Sequence, residues 1–128
     1  MVSSVQGKIE KSALQLKQAL DQLNSKTGDK ELQFLTVAKA FEVLVEYAWR
    51  ELKYRVENEG LSAPSPKEAV RKACRIELIA EPERWIDSIN ARNDSVHNYF
   101  GIPRKKYIDL ADEFIGLVQP LIATKPKK

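Results

Sequence analysis

A run of apolar side chains in alternating four- and three-residue steps does most to limit what this 128-residue chain can become. Phe34, Ala38, Phe41, Val45, Ala48 and Leu52 trace the seam of a helix packed among other helices, expected from about Lys30 to Glu59. A strand needs alternation at every second residue, and no such pattern bounded by hairpin signals occurs in the sequence. Val37 and Leu44 widen the stripe, so this helix is expected to touch more than one neighbour. Glu46 and Arg50 stand four apart and should pair on its wet side. Gly60 follows where a left-handed C-terminal cap is wanted.

The remaining segments repeat the helical theme. From Ser4 to about Lys26, Ile9, Leu16, Leu20 and Leu23 recur at amphipathic spacing, and Asn24 through Gly28 reads as a turn. Ser65, Pro66 and Glu68 form a helix start: serine as N-cap, proline at the first helical position, glutamate closing a capping box. The short helix they begin is predicted to reach about Leu78, with Ala69, Val70, Ala73 and Ile76 inward. Pro82 starts another, carrying Trp85, Ile86, Ile89, Val96 and Phe100. Beyond Gly101 and Pro103 a last helix is lined by Tyr107, Leu110, Phe114, Leu117, Val118 and Leu121. Short connections favour antiparallel neighbours. The expectation is all-α: one domain over residues 1–128, an up-and-down antiparallel bundle of about four long helices plus a short one. A basic tail at 126–128 is expected to fray.

Composition narrows the chemistry. With 43% hydrophobic and 30% charged residues, the chain is expected to be a soluble globular domain. No apolar stretch approaches the roughly 20 residues a bilayer requires, and the N-terminus lacks a signal-peptide core. The single Cys74 fits a reducing cytoplasm and reads as a buried small hydrophobe. One histidine and one cysteine speak against a structural zinc site, and Asp87 with Asp94 makes a poor metal pair. Five glycines, none in a Gly-rich loop, argue against a phosphate cradle, so no cofactor is expected. A net charge of +3 permits nucleic-acid binding without requiring it.

The stretch Arg92-Asn93-Asp94-Ser95-Val96-His97-Asn98-Tyr99 holds the chain's one histidine. At about 100° per residue, Arg92 and His97 project roughly 140° apart, with the apolar stripe between them. One helix therefore cannot close a compact Arg–His pair, whereas a cleft shared with another helix or a second copy of the chain could. On composition alone, a lone histidine at a helix border is more often structural than catalytic. As chemistry, His97 could move protons near neutral pH, and Arg92 could hold a phosphate or offset charge developing on it. Those are the two roles a metal-free ribonuclease needs.

Arg92-x4-His97-x-Tyr99 resembles the RX4HXY motif of the HEPN superfamily, and more closely the chain resembles the small HepT-type proteins encoded beside minimal nucleotidyltransferases. Phe41-Glu42-Val43-Leu44-Val45-Glu46-Tyr47-Ala48-Trp49 resembles that group's central helix. Ser65-Pro66-Lys67-Glu68 resembles its "SPRE" helix start, and Leu78-Ile79, Trp85 and Arg92-Asn93 continue in the same order. The resemblance covers about Leu32 to Leu121.

It implies a homodimer in which two Arg–His motifs share a cleft. It further implies a toxin that cleaves RNA, tRNA included, without a metal, and an antitoxin nucleotidyltransferase that transfers AMP to the motif tyrosine. Carried over residue by residue, Arg92 and His97 would be catalytic, Asn93 supporting and Tyr99 the modification site. Some relatives carry the label of a nucleotidyltransferase substrate-binding subunit, so a non-catalytic subunit is the alternative. A helical interaction module that has lost activity is a third.

Other candidates have simpler readings. Arg71, Lys72 and Arg75, with Arg104, Lys105 and Lys106, offer a phosphate-tracking rim, but solvated helix surface is the default. Phe34, Phe41 and Trp49 read as core or interface aromatics. Trp85, nearer the Arg92 side, is a candidate dimer contact.

Overall fold

The computed structural model describes residues 4–97 and 103–126, with side chains at 94–97 excepted. Among the described residues six helices follow one another: α1 (Gln6–Leu23), α2 (Lys30–Asn58), α3 (Pro66–Arg75), α4 (Pro82–His97), α5 (Arg104–Leu117) and α6 (Gln119–Ala123). No strand occurs among the described residues. The architecture is the expected helical bundle, four long helices with the short α3. None of these helices is long and apolar enough to cross a membrane.

The centre is α2, which packs against α1, α3, α4 and α5. Its seam residues Phe34, Ala38, Phe41, Val45, Ala48 and Leu52 are all buried, and so are the widening residues Val37 and Leu44. Asp29 caps its start, accepting from the amides of Glu31 at 2.9 Å and Leu32 at 3.2 Å. Phe41 meets Tyr107 and Phe114 edge-on, with ring centroids 5.2 and 5.8 Å away, and Phe114 in turn meets Trp85 at 5.0 Å. Trp85 is thus core and only 1% exposed, which removes it as a candidate dimer contact. Cys74 is half-buried rather than fully enclosed.

Ser65 caps α3 by accepting from the Glu68 amide at 3.3 Å, with Pro66 at the first helical position. The Glu68 carboxylate does not close the box; it pairs with Arg71 at 3.4 Å and Lys72 at 3.6 Å. Two helices end in the same hydrogen-bond pattern. After α2, Gly60 (φ 87°) donates to Glu57 and Leu61 to Val56; after α3, Glu77 (φ 63°) donates to Cys74 and Leu78 to Ala73. Glycine adopts that left-handed backbone freely, whereas glutamate carries a cost of roughly 1–2 kcal/mol. Its turn ends α3 at Arg75, short of the expected Leu78.

The last helix is broken in two. Pro120 has no amide proton to continue the ladder, so α5 stops at Leu117 and α6 begins afresh at Gln119. Val118 and Leu121 remain buried beyond the break.

One buried polar knot holds the ends of the bundle. Glu51 is fully buried and pairs with Arg55, 6% exposed, at 2.8 Å. The carboxylate also accepts from the Ser4 hydroxyl at 2.9 Å and the Val5 amide at 2.8 Å, satisfying a donor at the start of α1. The guanidinium donates to the carbonyls of Leu121 and Thr124, both at 2.9 Å, and to the Thr124 hydroxyl at 2.7 Å. Gln6 reaches the Leu121 and Ile122 carbonyls at 3.1 Å each.

Candidate functional site

Arg92 lies near the end of α4 and reaches across to α2, where its Nη2 stands 3.6 Å from Glu46 Oε1. The same carboxylate oxygen lies 3.6 Å from Arg50 Nη2, so two guanidinium groups share one acid. Glu46 Oε2 accepts from the Trp49 indole N–H at 2.8 Å, which fixes the carboxylate's orientation. Arg92 Nη1 donates to Asn93 Oδ1 at 3.1 Å, linking the expected supporting residue to the expected catalytic one. Arg92 and Glu46 are 29% and 27% exposed, at the border between interior and solvent.

These groups face an open groove of about 350 Å³ lined by Lys39, Glu42, Val43, Glu46, Tyr47, Arg50 and Arg92. Three cations against two carboxylates leave it net positive. Lys8 of α1 adds a further ammonium 5.6 Å from the centre of the Tyr47 ring. A shallow cationic trough with an aromatic wall suits a phosphate-bearing chain better than a small apolar ligand.

Residues 98–102 lie outside the described residues, Tyr99 with them. The backbone of His97 closes α4, but its side chain, like those of Asp94 and Val96, also lies outside what is described. Of the expected site, the described structure thus brings together Arg92 and Asn93 and adds Glu46 and Arg50 from the central helix. The pairing of Glu46 with Arg50 was legible from their spacing; the approach of Arg92 to that pair was not. The available signal is seven-residue spacing: Lys39 and Glu46 recur on the side of α2 opposite its buried seam.

Half of the six residues in the two basic stretches are engaged locally. Arg71 and Lys72 pair with Glu68, and Lys72 also donates to the Ser62 carbonyl. Arg104 pairs with Glu31 and lies over the Phe34 ring, 4.5 Å from its centre. That contact holds the Glu31 carboxyl below its ordinary range, through the hydrogen bond first and charge second. Arg84 is raised by its hydrogen bond to Glu113 at 2.5 Å and by the charge of that carboxylate. Arg75, Lys105 and Lys106 are exposed.

A family model described as nucleotidyltransferase substrate binding protein like matches residues 6–123, nearly the whole chain. No curated protein matches it.

Proposed function

Because the chain belongs to the nucleotidyltransferase substrate binding protein-like family, with its HEPN/HepT-like fold, we propose that it is the endoribonuclease toxin of a pair whose antitoxin is a minimal nucleotidyltransferase. The observation that carries this reading is the Arg92 guanidinium at the rim of a net-positive groove, held by a long ion pair to a shared carboxylate. An incoming RNA phosphate offers that guanidinium a second acid to bind, without unfolding anything.

The chemistry assigned to the site needs no metal. His97 takes the proton of a ribose 2′-hydroxyl, the 2′-oxygen attacks the adjacent phosphorus, and the bond to the 5′-oxygen breaks. The leaving oxygen gains a proton, and a 2′,3′-cyclic phosphate remains. Arg92 offsets the charge that grows on the phosphorane, and Asn93 orients Arg92. Two copies of the chain share the cleft. Neutralisation is adenylylation: the Tyr99 oxygen attacks the α-phosphorus of ATP, pyrophosphate leaves and the phenolic proton is lost. The added bulk and negative charge then repel RNA. Within this reading the chain acts in the cytoplasm, on RNA such as tRNA.

Expression without the partner should arrest growth, and purified protein should cut RNA in the presence of chelator. Arg92→Ala and His97→Ala should each abolish both effects at unchanged folding. Protein that is harmless alone and inert on total RNA overturns the reading. Co-expression with the transferase should add one AMP mass to wild type and none to Tyr99→Phe.

The family's description favours a second reading, a non-catalytic subunit that binds substrate for the transferase. Co-purification with altered nucleotide transfer, and no toxicity for His97 to influence, would support it.

A further inference from the structure

Two helices bring two guanidinium groups to the same atom. Arg50 of α2 and Arg92 of α4 each place Nη2 3.6 Å from Glu46 Oε1, so those two nitrogens are at most twice that distance apart. Both arginines line the groove of about 350 Å³, as does Lys39. Arg50 is 55% exposed and its pairing is longer than a hydrogen bond, so the contact adds little to the fold. A cation that the bundle hardly uses, set beside the expected catalytic arginine, points to a ligand.

What stands between the two cations limits what they can bind. Glu46 Oε2 accepts from the Trp49 indole N–H at 2.8 Å, which holds Oε1 in place, equidistant from both arginines. A single phosphate gripped by both guanidinium groups would need that place for itself, and the anionic oxygen repels it. Glu42, the other carboxylate of the groove, stands one turn earlier on α2 and strengthens the exclusion of a compact anion. Each arginine instead meets an anion on the side away from Glu46. Two anions bound in this way must be joined by a linker that passes the carboxylate. Consecutive phosphates along one nucleic-acid strand meet that requirement, whereas inorganic phosphate and mononucleotides do not.

We propose that Arg50 is a second phosphate-binding residue of this groove and that Glu46, oriented by Trp49, is the spacer between the two: Arg92 takes the phosphate that is cut, and Arg50 the neighbouring phosphate of the same RNA strand. The inference rests on the nuclease reading for the choice of RNA and for the phosphate given to Arg92. Arg50 touches the substrate away from the reacting atoms, so its contact is equally strong before and during the reaction. Such uniform binding lowers KM and leaves kcat alone, whereas Arg92 acts on the charge that develops in the transition state. Glu46 contributes selectivity, by turning away anions too small to reach past it.

Cleavage kinetics and salt-dependent binding of the full chain on a fluorescein-labelled oligoribonucleotide test this, with binding read in a His97→Ala background that leaves the RNA whole. Arg50→Ala should raise KM about tenfold with kcat nearly unchanged, and should flatten the slope of log affinity against log salt by about 0.7, the single-strand value for one lost phosphate contact. Arg50→Lys should restore most of that slope, because the contact needs a charge. Glu46→Gln keeps an acceptor for Trp49 and removes the repulsion, so uridine 3′-monophosphate should compete for the groove about tenfold better than on protein that keeps Glu46. Arg50 is exposed, so unchanged circular dichroism separates lost binding from lost folding. An Arg50→Ala protein with the KM and salt slope of wild type overturns the proposal. So does one that loses kcat as Arg92→Ala does, since both arginines would then serve one phosphate, and so does a mononucleotide indifferent to Glu46→Gln. Cleavage untouched by Arg50→Ala defeats this proposal and spares the nuclease reading; RNA bound through Arg50 and never cut does the reverse.

Discussion

Two acid–arginine clusters sit five residues apart on α2 and behave as opposites. At Glu51–Arg55 both groups are buried, the contact is 2.8 Å, and the guanidinium is further occupied by two backbone carbonyls and a hydroxyl. At Glu46 the contacts to Arg50 and Arg92 are 3.6 Å, and both arginines face solvent in part. The first cluster has spent its hydrogen-bonding capacity on the protein's own backbone. The second sets two arginines on one Glu46 oxygen at longer range, in a groove whose lining cations outnumber its carboxylates three to two. Chemical type is the same in both; burial and contact length set the buried pair apart from the half-exposed one.

The contrast breaks first at Arg55. Arg55→Ala strands a buried carboxylate and the carbonyls at the end of α6, and chemical denaturation should show a loss of about 3–5 kcal/mol. Arg92→Ala should barely move the denaturation midpoint, by less than about 1 kcal/mol, while RNA cleavage falls about a hundredfold or more. An Arg92→Ala protein as unstable as Arg55→Ala would erase the distinction. Glu46→Gln should cost less than about 1 kcal/mol, and that difference should shrink in high salt, as a half-exposed pair requires.

A third pair, Glu31–Arg104, extends the series to full exposure. Its carboxyl is held below the ordinary value of 4.5 by Arg104. A lowered folded value means the stabilisation is complete above the unfolded value and is lost as pH falls through the folded one. Glu31→Gln should therefore melt slightly below wild type at neutral pH, and the two melting curves should converge on acidification.

Much of this fold could be read from the chain. The seam on α2 and the Ser65-Pro66 start of α3 are local patterns, and local patterns survive packing. The end of α3 could not be read so easily, because Glu77 takes a backbone conformation that only glycine would have advertised. Pro120 was visible, yet the apolar spacing through Val118 and Leu121 carried the helix across it. The buried pair was missed because Glu51 and Arg55, four apart, look like any exposed helical ion pair. Their register held the clue: Glu51 follows Leu44 by seven residues, and Arg55 follows Ala48 by seven, which sets both in the buried arc. For the site, Arg92 was legible as a candidate from the motif that contains it. Its partner Glu46 was not, since the contact joins residues 46 positions apart and depends on how α4 settles against α2.

The knot at Glu51 and Arg55 also binds the first turn of α1 and the last turn of α6 to a single pair of side chains on the central helix. Neither extremity can then peel away without opening the other's attachment. Amide protons near Ile9 and near Leu121, over a hundred positions apart, should exchange with solvent as one cooperative unit.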